Sequence, residues 1–285
     1  MFVPEHHAGM IRLIVNADDL GSSQSRDRGI FKAFAEGIVT SASLLANGPS
    51  FASAAAEART CNLPVGVHLN LSEGKALSGP VGGLTDASGN FPGKTGLRQL
   101  PGSSLPDGKG IRRELLAQIE RVGAAGLVPD HLDTHQHCLL IPHLTEAIIE
   151  AAIASGITAL RLPLPAEPVS GEVPEGLTSE LDYYRACAPA VCRALRKHRL
   201  WSPDGLWGMP LLNRLDITTL TATLKQIPVG TWELMVHPGY ADAGDPFGGP
   251  EREVELTALT TPSILDLIKT RDIRLTSFGA CRCAC

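Results

Sequence analysis

The chain has 285 residues, a formal net charge of −5 and an isoelectric point near 6.0. This net charge does not indicate the basic surface that nucleic-acid binding requires. The sequence has no apolar run of about 18 residues, so we expect no transmembrane helix. Residues 1–10 lack the basic and apolar regions of a secretory signal, so we expect a disordered leader there. The seven cysteines are scattered, which favours reduced thiols and a cytoplasmic protein. Three of them fall in the tail 280–285, for which we expect a disordered, Cys-rich terminus.

Strand-like and helix-like segments alternate along the chain, a pattern typical of a parallel sheet with crossover helices. We predict seven strands, among them Gly156–Pro163, and a weaker eighth at Gly205–Met209. The expected fold is α/β, a single (β/α) TIM-like barrel of seven or eight strands that covers residues 11–279 and tolerates some distortion. The segment 72–110 contains ten Gly and four Pro. It follows the strand that carries His68, so we expect either a rim over a site or a simple flexible insertion.

One short segment concentrates ionisable side chains, because His131, Asp133, His135 and His137 occupy alternate positions. On a strand, alternate positions share one face. Burying such groups without partners is costly. Metal coordination by imidazole and carboxylate removes that cost, whereas a hydrogen-bonded cluster without metal is the alternative. The density of histidines favours the metal site.

Three further strand-like segments place polar side chains near their carboxyl ends. Asp18 and Asp19 follow an apolar run, His68 comes late in another, and His237 precedes a Pro-Gly pair. The carboxyl ends of parallel barrel strands meet at one face. We therefore expect all four residues to converge with the histidine-rich segment in one site.

These motifs together resemble the YdjC-type carbohydrate deacetylases, a family that includes the chitooligosaccharide deacetylases of the glycoside hydrolase/deacetylase barrel superfamily. The resemblance runs in order from about Ile11 to Phe278. The motifs are Asn16-Ala-Asp-Asp-Leu-Gly21, Gly66-Val-His-Leu-Asn-Leu71, His131-x-Asp-x-His-x-His137 and His237-Pro-Gly239. The resemblance implies a barrel and divalent-metal hydrolysis of the N-acetyl group on an amino sugar, such as an N-acetylglucosamine-containing oligosaccharide or glycoconjugate. It does not indicate which sugar.

Spacing and the resemblance together assign roles to the candidate site residues. Asp19, His68 and His135 would hold one divalent ion, with His137 as a competing third ligand. Asp18 would then act as general base on the metal-bound water. Alternation of side chains along a strand would let Asp19 face the metal while Asp18 points elsewhere.

The remaining candidates have supporting roles. His237 would act as general acid for the departing amine. We place His131 and Asp133 beside the ligands, where they would fix ring tautomers. Arg161 ends a predicted strand and would pair with Asp18, contact substrate or form a plain surface salt bridge. Two imidazoles favour zinc, whereas the resemblance suggests magnesium.

Two other functions are consistent with the same residues: a metal-dependent phosphoesterase and a non-catalytic, metal-dependent sugar-binding protein. A phosphoesterase would need more ligands and basic phosphate contacts. The expected partner is a small-molecule or oligosaccharide substrate, with neither nucleic acid nor a membrane span. The sequence leaves a homodimer open.

Overall fold

The computed structural model describes residues 9–100, 107–167, 173 and 175–282. Within them the strands of one parallel sheet are β1 (Ile11–Leu20), β2 (Ser41–Leu44), β3 (Val65–Leu69), β4 (Leu132–Thr134), β5 (Leu206–Trp207), β6 (Gly230–Val236) and β7 (Ile273–Thr276). The helices are α1 (Gln24–Glu36), α2 (Phe51–Cys61), α3 (Gly93–Arg98), α4 (Gly108–Ala124), α5 (Pro142–Ala154), α6 (Glu175–Lys197), α7 (Ile217–Gln226), α8 (Glu251–Thr260), α9 (Pro262–Thr270) and α10 (Phe278–Arg282).

Strand β1 is the centre of the sheet, whose order is β4-β3-β2-β1-β6-β5. One edge of β1 pairs with β6 along Ile11–Ala17. The other edge is shared, because β7 pairs with Ile11–Ile14 and β2 pairs from Asn16 to Leu20. Every pairing is parallel, so the carboxyl ends of the strands lie at a common rim.

The segment that follows α5 runs between β4 and β5, the two strands at the ends of the sheet order, but it does not form a regular strand. Leu160 forms an isolated parallel bridge with β4, and Pro165 forms one with β5. Pro163 and Pro165 have no backbone N–H, which limits regular pairing here. The strand predicted at Gly156–Pro163 is therefore replaced by single bridges, whereas the weak strand predicted at Gly205–Met209 is present as β5. The fold is α/β with a curled parallel sheet of seven strands, and the described residues do not complete a regular TIM barrel.

Local sequence signals explain where the helices begin. The Ser23 side chain accepts a hydrogen bond from the backbone N–H of Arg26 at the start of α1. Asp216 and Thr219 form a reciprocal capping box at the start of α7, which satisfies otherwise unpaired N–H groups. Between helices and sheet, fully buried aliphatic side chains such as Leu13 supply the core that holds the rim in place.

The long insertion after β3 is tied to the rest of the molecule. Lys75 and Asn90 form a backbone bridge within it. From α3, Lys94 and Arg98 both form ion pairs with Glu180 of α6, with closest approaches of 2.8 and 2.6 Å. These contacts place α3 against α6 beside the carboxyl rim of the sheet.

Residues 1–8 of the predicted leader and residues 283–285 of the predicted tail lie outside the described residues. Cys281 belongs to α10 and is buried in a small cluster with Ile14 and Phe278. No described helix has the length and apolar character that crossing a membrane requires.

Candidate metal and catalytic site

Three side chains from three strand ends converge at the carboxyl rim. Asp19 Oδ1 lies 3.0 Å from His135 Nδ1 and 3.4 Å from His68 Nε2. The two ring nitrogens are 3.2 Å apart. Ligand atoms that bind one ion at about 2.0–2.1 Å in tetrahedral or octahedral geometry are separated by roughly 2.8–3.4 Å. The spacing therefore fits one small divalent cation, and the chain has a largely buried Asp/His cluster able to bind a metal ion.

Asp19 reaches this position through an irregularity near the end of β1. Its φ is +66°, and the register of β1 against β2 shifts between Ala17 and Leu20. Asp is among the few non-glycine residues that tolerate a left-handed conformation. Asp18 and Asp19 point to different partners within β1. Simple strand alternation, which we expected, does not account for the left-handed residue and the register shift at this point.

The histidine-rich segment also departs from a regular strand. Strand β4 ends at Thr134, and residues 135–140 form a short 3₁₀ segment in which Gln136 and His137 have φ values of +52° and +56°. His135 therefore points into the cluster, while the ring of His137 packs edge-on against Tyr184. Among the described residues, His137 is not part of the group of converging ligand atoms.

Both cluster histidines carry carboxylate contacts that favour the protonated ring in the metal-free protein. Burial opposes the charge of His68, but Asp133, 2.8 Å from its Nδ1, and Asp19 raise its pKa to about 10. Burial likewise opposes the charge of His135, yet Asp19 and Glu73 raise its pKa to about 9. A metal ion bound here must displace these protons.

A buried guanidinium organises the carboxylates beneath the cluster. Arg161 is fully buried and donates to both oxygens of Asp18 at 2.6 Å. It also lies 2.7 Å from both Asp133 and Glu233. Burial raises the pKa of Asp18, but the Arg161 charge outweighs it and the pKa is lowered. Asp18 is thus an ionised carboxylate at neutral pH.

Glu233 was not among the residues singled out from the sequence. It lies in the interior of β6, is 1% exposed and accepts from Arg161 Nε at 2.8 Å. An acidic residue inside an otherwise apolar strand is costly to bury alone. This cost could have singled out Glu233 in the sequence, but it does not show that Arg161 is the residue that pairs with it.

A second set of possible ligand atoms comprises Asp18, His68 and Asp133. Both carboxylates in this set are already bound by the Arg161 guanidinium. A cation placed there would lie against a permanent positive charge. The arrangement therefore favours a single metal ion, held by the first set.

His237 lies just beyond the end of β6. Its Nε2 is 4.0 Å from Asp18 Oδ2, and its backbone N–H donates to Glu255 Oε1 at 2.7 Å. The carbonyl of His237 accepts from the side chains of both Arg26 and Arg252. Burial lowers the pKa of His237 to about 3, so the imidazole is neutral in the resting protein.

His131 lies away from the proposed ligands, contrary to the expectation that it supports them. Its Nδ1 is 2.7 Å from Asp130 Oδ1 and its Nε2 is 3.3 Å from Ser43 Oγ. The ring stacks on Phe278 with centroids 3.8 Å apart. Asp133, by contrast, directly contacts the proposed ligand His68.

A cavity of about 270 Å³ opens onto the cluster. Its polar wall carries Asp18, Asp19, His68, His135 and His237. Its apolar wall is formed by aliphatic and thioether side chains from several elements, namely Leu45, Leu177, Leu181, Met209, Leu212 and Met235. The expected site residues from both halves of the chain therefore share one opening, with Arg161 buried behind it.

Comparison with known proteins gives relatives that extend over almost the whole chain. Carbohydrate deacetylases from Mus musculus and Geobacillus stearothermophilus are 36% and 32% identical to it, covering 93% of this chain and 93% and 96% of their own lengths. A solved structure from Enterococcus faecalis, named for cellobiose-phosphate cleavage, is 23% identical with a TM-score of 0.75 and covers 96% of this chain and 99% of its own. That likeness shows a shared fold. The family model for YdjC-like proteins matches residues 12–270, so the resemblance seen in the sequence is confirmed and the chain belongs to the YdjC-like family.

Proposed function

We propose that this protein is a metal-dependent carbohydrate deacetylase that hydrolyses the N-acetyl group of an acetylated amino sugar, such as N-acetylglucosamine in an oligosaccharide or glycoconjugate. The observation that carries the proposal is the set of 3.0–3.4 Å separations among Asp19, His68 and His135. Asp18 and His237 lie in the same cavity. The carbohydrate deacetylases among the relatives support the reaction class.

Asp19, His68 and His135 would hold the ion through Oδ1, Nε2 and Nδ1. When bound, a divalent ion lowers the pKa of water and polarises the acetamide carbonyl. Two imidazoles with one carboxylate favour zinc on chemical grounds, with magnesium as the alternative. Asp133 supports this role, since its contact with His68 Nδ1 leaves Nε2 as the nitrogen that faces the ion.

Asp18 would take the proton from the attacking water. Its Oδ1 accepts from both Arg161 and Asn16. Among the described residues, its Oδ2 accepts from Arg161 alone and faces His237. Arg161 holds the carboxylate ionised and in one orientation, which a general base requires.

His237 would deliver a proton to the departing amine. Because burial lowers its pKa to about 3, the ring begins neutral and must gain the proton during the reaction. Asp18 Oδ2, 4.0 Å from Nε2, is the nearest source. In the balanced reaction, water supplies the hydroxyl that bonds to the acetyl carbon, the C–N bond breaks, and the water proton passes by way of Asp18 and His237 to the amine.

The shape of the cavity supports a substrate of modest size. At about 270 Å³ it lies near the lower end of small-molecule pockets, which span roughly 300–1,000 Å³. One sugar ring with its acetamide is the portion of the substrate that we expect inside the cavity.

We also propose that the curled sheet is a distorted β/α barrel, in which the segment around Leu160 and Pro165 takes the place of the eighth strand.

The two other candidate functions receive less support. A two-metal phosphoesterase would need a second ion where Arg161 already binds the carboxylates. A non-catalytic sugar-binding protein would have no use for Asp18 and His237 at their observed positions.

The test is acetate release from a panel of N-acetylglucosamine mono- and oligosaccharides, glycolipids and nucleotide sugars, with metal content measured in parallel. Asp18→Asn should retain the metal and lose about 10²- to 10⁴-fold in kcat. His237→Ala should also lose activity, while His143→Ala in α5 serves as a control outside the cavity. Unchanged turnover in Asp18→Asn would remove the base assignment. Sugar binding without acetate release from any member would favour the binding protein.

A further inference from the structure

A buried polar column runs from Asp18 away from the cavity. Asn16 Nδ2 donates to Asp18 Oδ1 at 2.8 Å and to Ser43 Oγ at 2.7 Å. Ser43 Oγ lies 3.3 Å from His131 Nε2, and His131 Nδ1 lies 2.7 Å from Asp130 Oδ1. Asn16, Ser43 and His131 are all 0% exposed. Such a column in a core needs a reason, because apolar side chains of similar size would pack there at lower cost.

The chemistry of the acceptors sets the direction of each bond. An ionised carboxylate only accepts, so the amide must present its NH₂ to Asp18. The same NH₂ donates to Ser43. At the far end of the column the Asp130 carboxylate accepts from His131 Nδ1, so Nε2 of the neutral ring accepts the Ser43 hydroxyl proton.

The amide also decides what the column does. A single NH₂ group donates in both directions, so it cannot pass a proton from Asp18 to Ser43. Asn16 Oδ1 has no hydrogen-bond partner within the described part of the chain, so the side chain is held through Nδ2 alone. The column therefore holds Asp18 in position and does not transfer protons away from it.

The surroundings lock the far end of the column. A Cβ at Gly66 would lie 2.3–2.5 Å from the His131 ring atoms, so glycine leaves the space that the ring fills. Phe278 stacks on the ring, and Asp130 Oδ2 accepts from Gly279 N at 2.8 Å. Residues of three other segments, β2, β3 and α10, thus fix the position of His131.

We propose that Asn16 is a positioning residue that selects which oxygen of Asp18 acts as the base, and that Ser43 and His131 hold Asn16 for this task. Asn16 and Arg161 together occupy Oδ1, which leaves Oδ2, on the His237 side, with the available lone pair. The proposal rests on the proposed function, because it assumes that Asp18 is the general base.

A double-mutant cycle tests the proposal. Asn16→Ala should lower kcat by about 10- to 100-fold, since small misplacement of a reacting group has large effects, with KM for the acetylated sugar and metal affinity unchanged. In an Asp18→Asn background the same change should have no further effect on kcat. Multiplicative losses in the double variant, or a loss of metal affinity that matches the loss of kcat, would overturn the proposal.

A second variant covers the case in which Asn16→Ala does not fold. Ser43→Ala should lower kcat by about 2- to 10-fold. Ser41→Ala is the matched control, because Ser41 is equally buried on β2 and its Oγ has no hydrogen-bond partner among the described residues. Equal kcat in the two variants would contradict the column.

Nitrogen-15 NMR of the histidine rings gives a readout that does not depend on turnover. It should show His131 with the proton on Nδ1, and a proton on Nε2 would overturn the column. If the wild-type protein releases no acetate from any sugar, the proposed function fails and the role of Asn16 fails with it. If wild type is active, Asp18→Asn is inactive and Asn16→Ala is fully active, only the positioning role fails.

Discussion

His68 and His131 are both buried histidines that contact a carboxylate, yet His68 lies near the carboxyl end of β3 and His131 lies just before the start of β4. His68 is at the carboxyl rim between Asp133 and Asp19, with one ring nitrogen facing the cluster of ligand atoms. His131 precedes β4, and both of its ring nitrogens are used within the column by Ser43 and Asp130. One ring therefore has a nitrogen that faces the other atoms of the Asp/His cluster, while both nitrogens of the other ring contact groups outside that cluster.

The difference teaches that burial and carboxylate contact do not by themselves mark a metal-ligating histidine. What distinguishes the rim is that two rings and a carboxylate point at one another with no interposed donor. In the column, hydroxyl and amide groups separate the charged groups, and each polar atom of the ring has a partner.

The most direct test of this difference between His68 and His131 is to remove each ring in turn. His68→Ala should lower metal affinity by more than about 100-fold. Loss of a residue that only contacts a metal ligand already lowers metal affinity by about 10- to 100-fold, and loss of the ligand itself should have a larger effect. His131→Ala should retain the metal and instead lower the free energy of unfolding by about 2–5 kcal/mol, since a buried ring is replaced by a cavity. Metal analysis by mass spectrometry and denaturant unfolding separate the two outcomes. Equal metal content in both variants would show that the rim histidine is not a ligand.

The raised pKa values at the rim predict proton release on metal binding. His68 and His135, with pKa values of about 10 and about 9, are protonated in the metal-free protein at neutral pH and must be neutral to bind a metal. Zinc binding near pH 7 should release about two protons, and affinity should rise by about tenfold per proton for each pH unit until it levels off near pH 9–10. Calorimetry in buffers of different ionisation enthalpy measures the proton count.

The same shifts have a consequence for metal-free stability. Both folded-state pKa values are raised above the ordinary 6.5, so the stabilisation is fully present below pH 6.5 and is lost as the pH rises through about 9–10. Metal-free stability that is flat across this range would mean that the rim histidines are neutral.

A smaller effect is expected for the carboxylate behind His68. Asp133→Asn should reduce metal affinity by about 10- to 100-fold, because the contact with Nδ1 fixes the ring tautomer. Asp130→Asn makes the same change beside His131 and should leave metal affinity unaltered. A titration with zinc in a competing chelator compares the two, and an equal loss in both variants would contradict a role specific to the rim.

The smallest effect concerns the space around His131. Gly66→Ala should lower the free energy of unfolding by about 1–3 kcal/mol, since the added Cβ would overlap the ring. Gly123→Ala in α4 is the control, because nothing lies within 4 Å of its added Cβ, and it should be neutral or stabilising by up to about 1 kcal/mol. If Gly66→Ala has the stability of the wild type, the His131 ring is not tightly enclosed at this position.

Local sequence patterns were enough to predict much of this molecule. The apolar run before Asp18 predicts a buried parallel strand, and Asp18, Asp19, His68 and His237 all follow such runs. Because the strands are parallel, their ends meet at one rim, so a common opening follows from pattern alone. The order of these motifs also identified the YdjC-like family.

The placement of individual side chains could not be predicted in this way. Alternate spacing put His131, His135 and His137 on one face, but the strand ends at Thr134 and the left-handed residues 136 and 137 turn the chain. Strand length depends on which partner residues are available across the sheet, and that is a long-range property. The three rings therefore separate into the column, the cluster of proposed metal ligands and the contact with Tyr184.

Arg161 shows the same division between local pattern and tertiary structure. Sequence alone determined that this chain alternates strands with helices and delivers acids and histidines to one rim. Only the tertiary structure decided that Arg161 joins Asp18, Asp133 and Glu233, and that Asn16 holds the remaining face of Asp18. Residues far apart in the chain have no shared periodicity, so their pairing depends on packing and on the cost of leaving buried charges without partners.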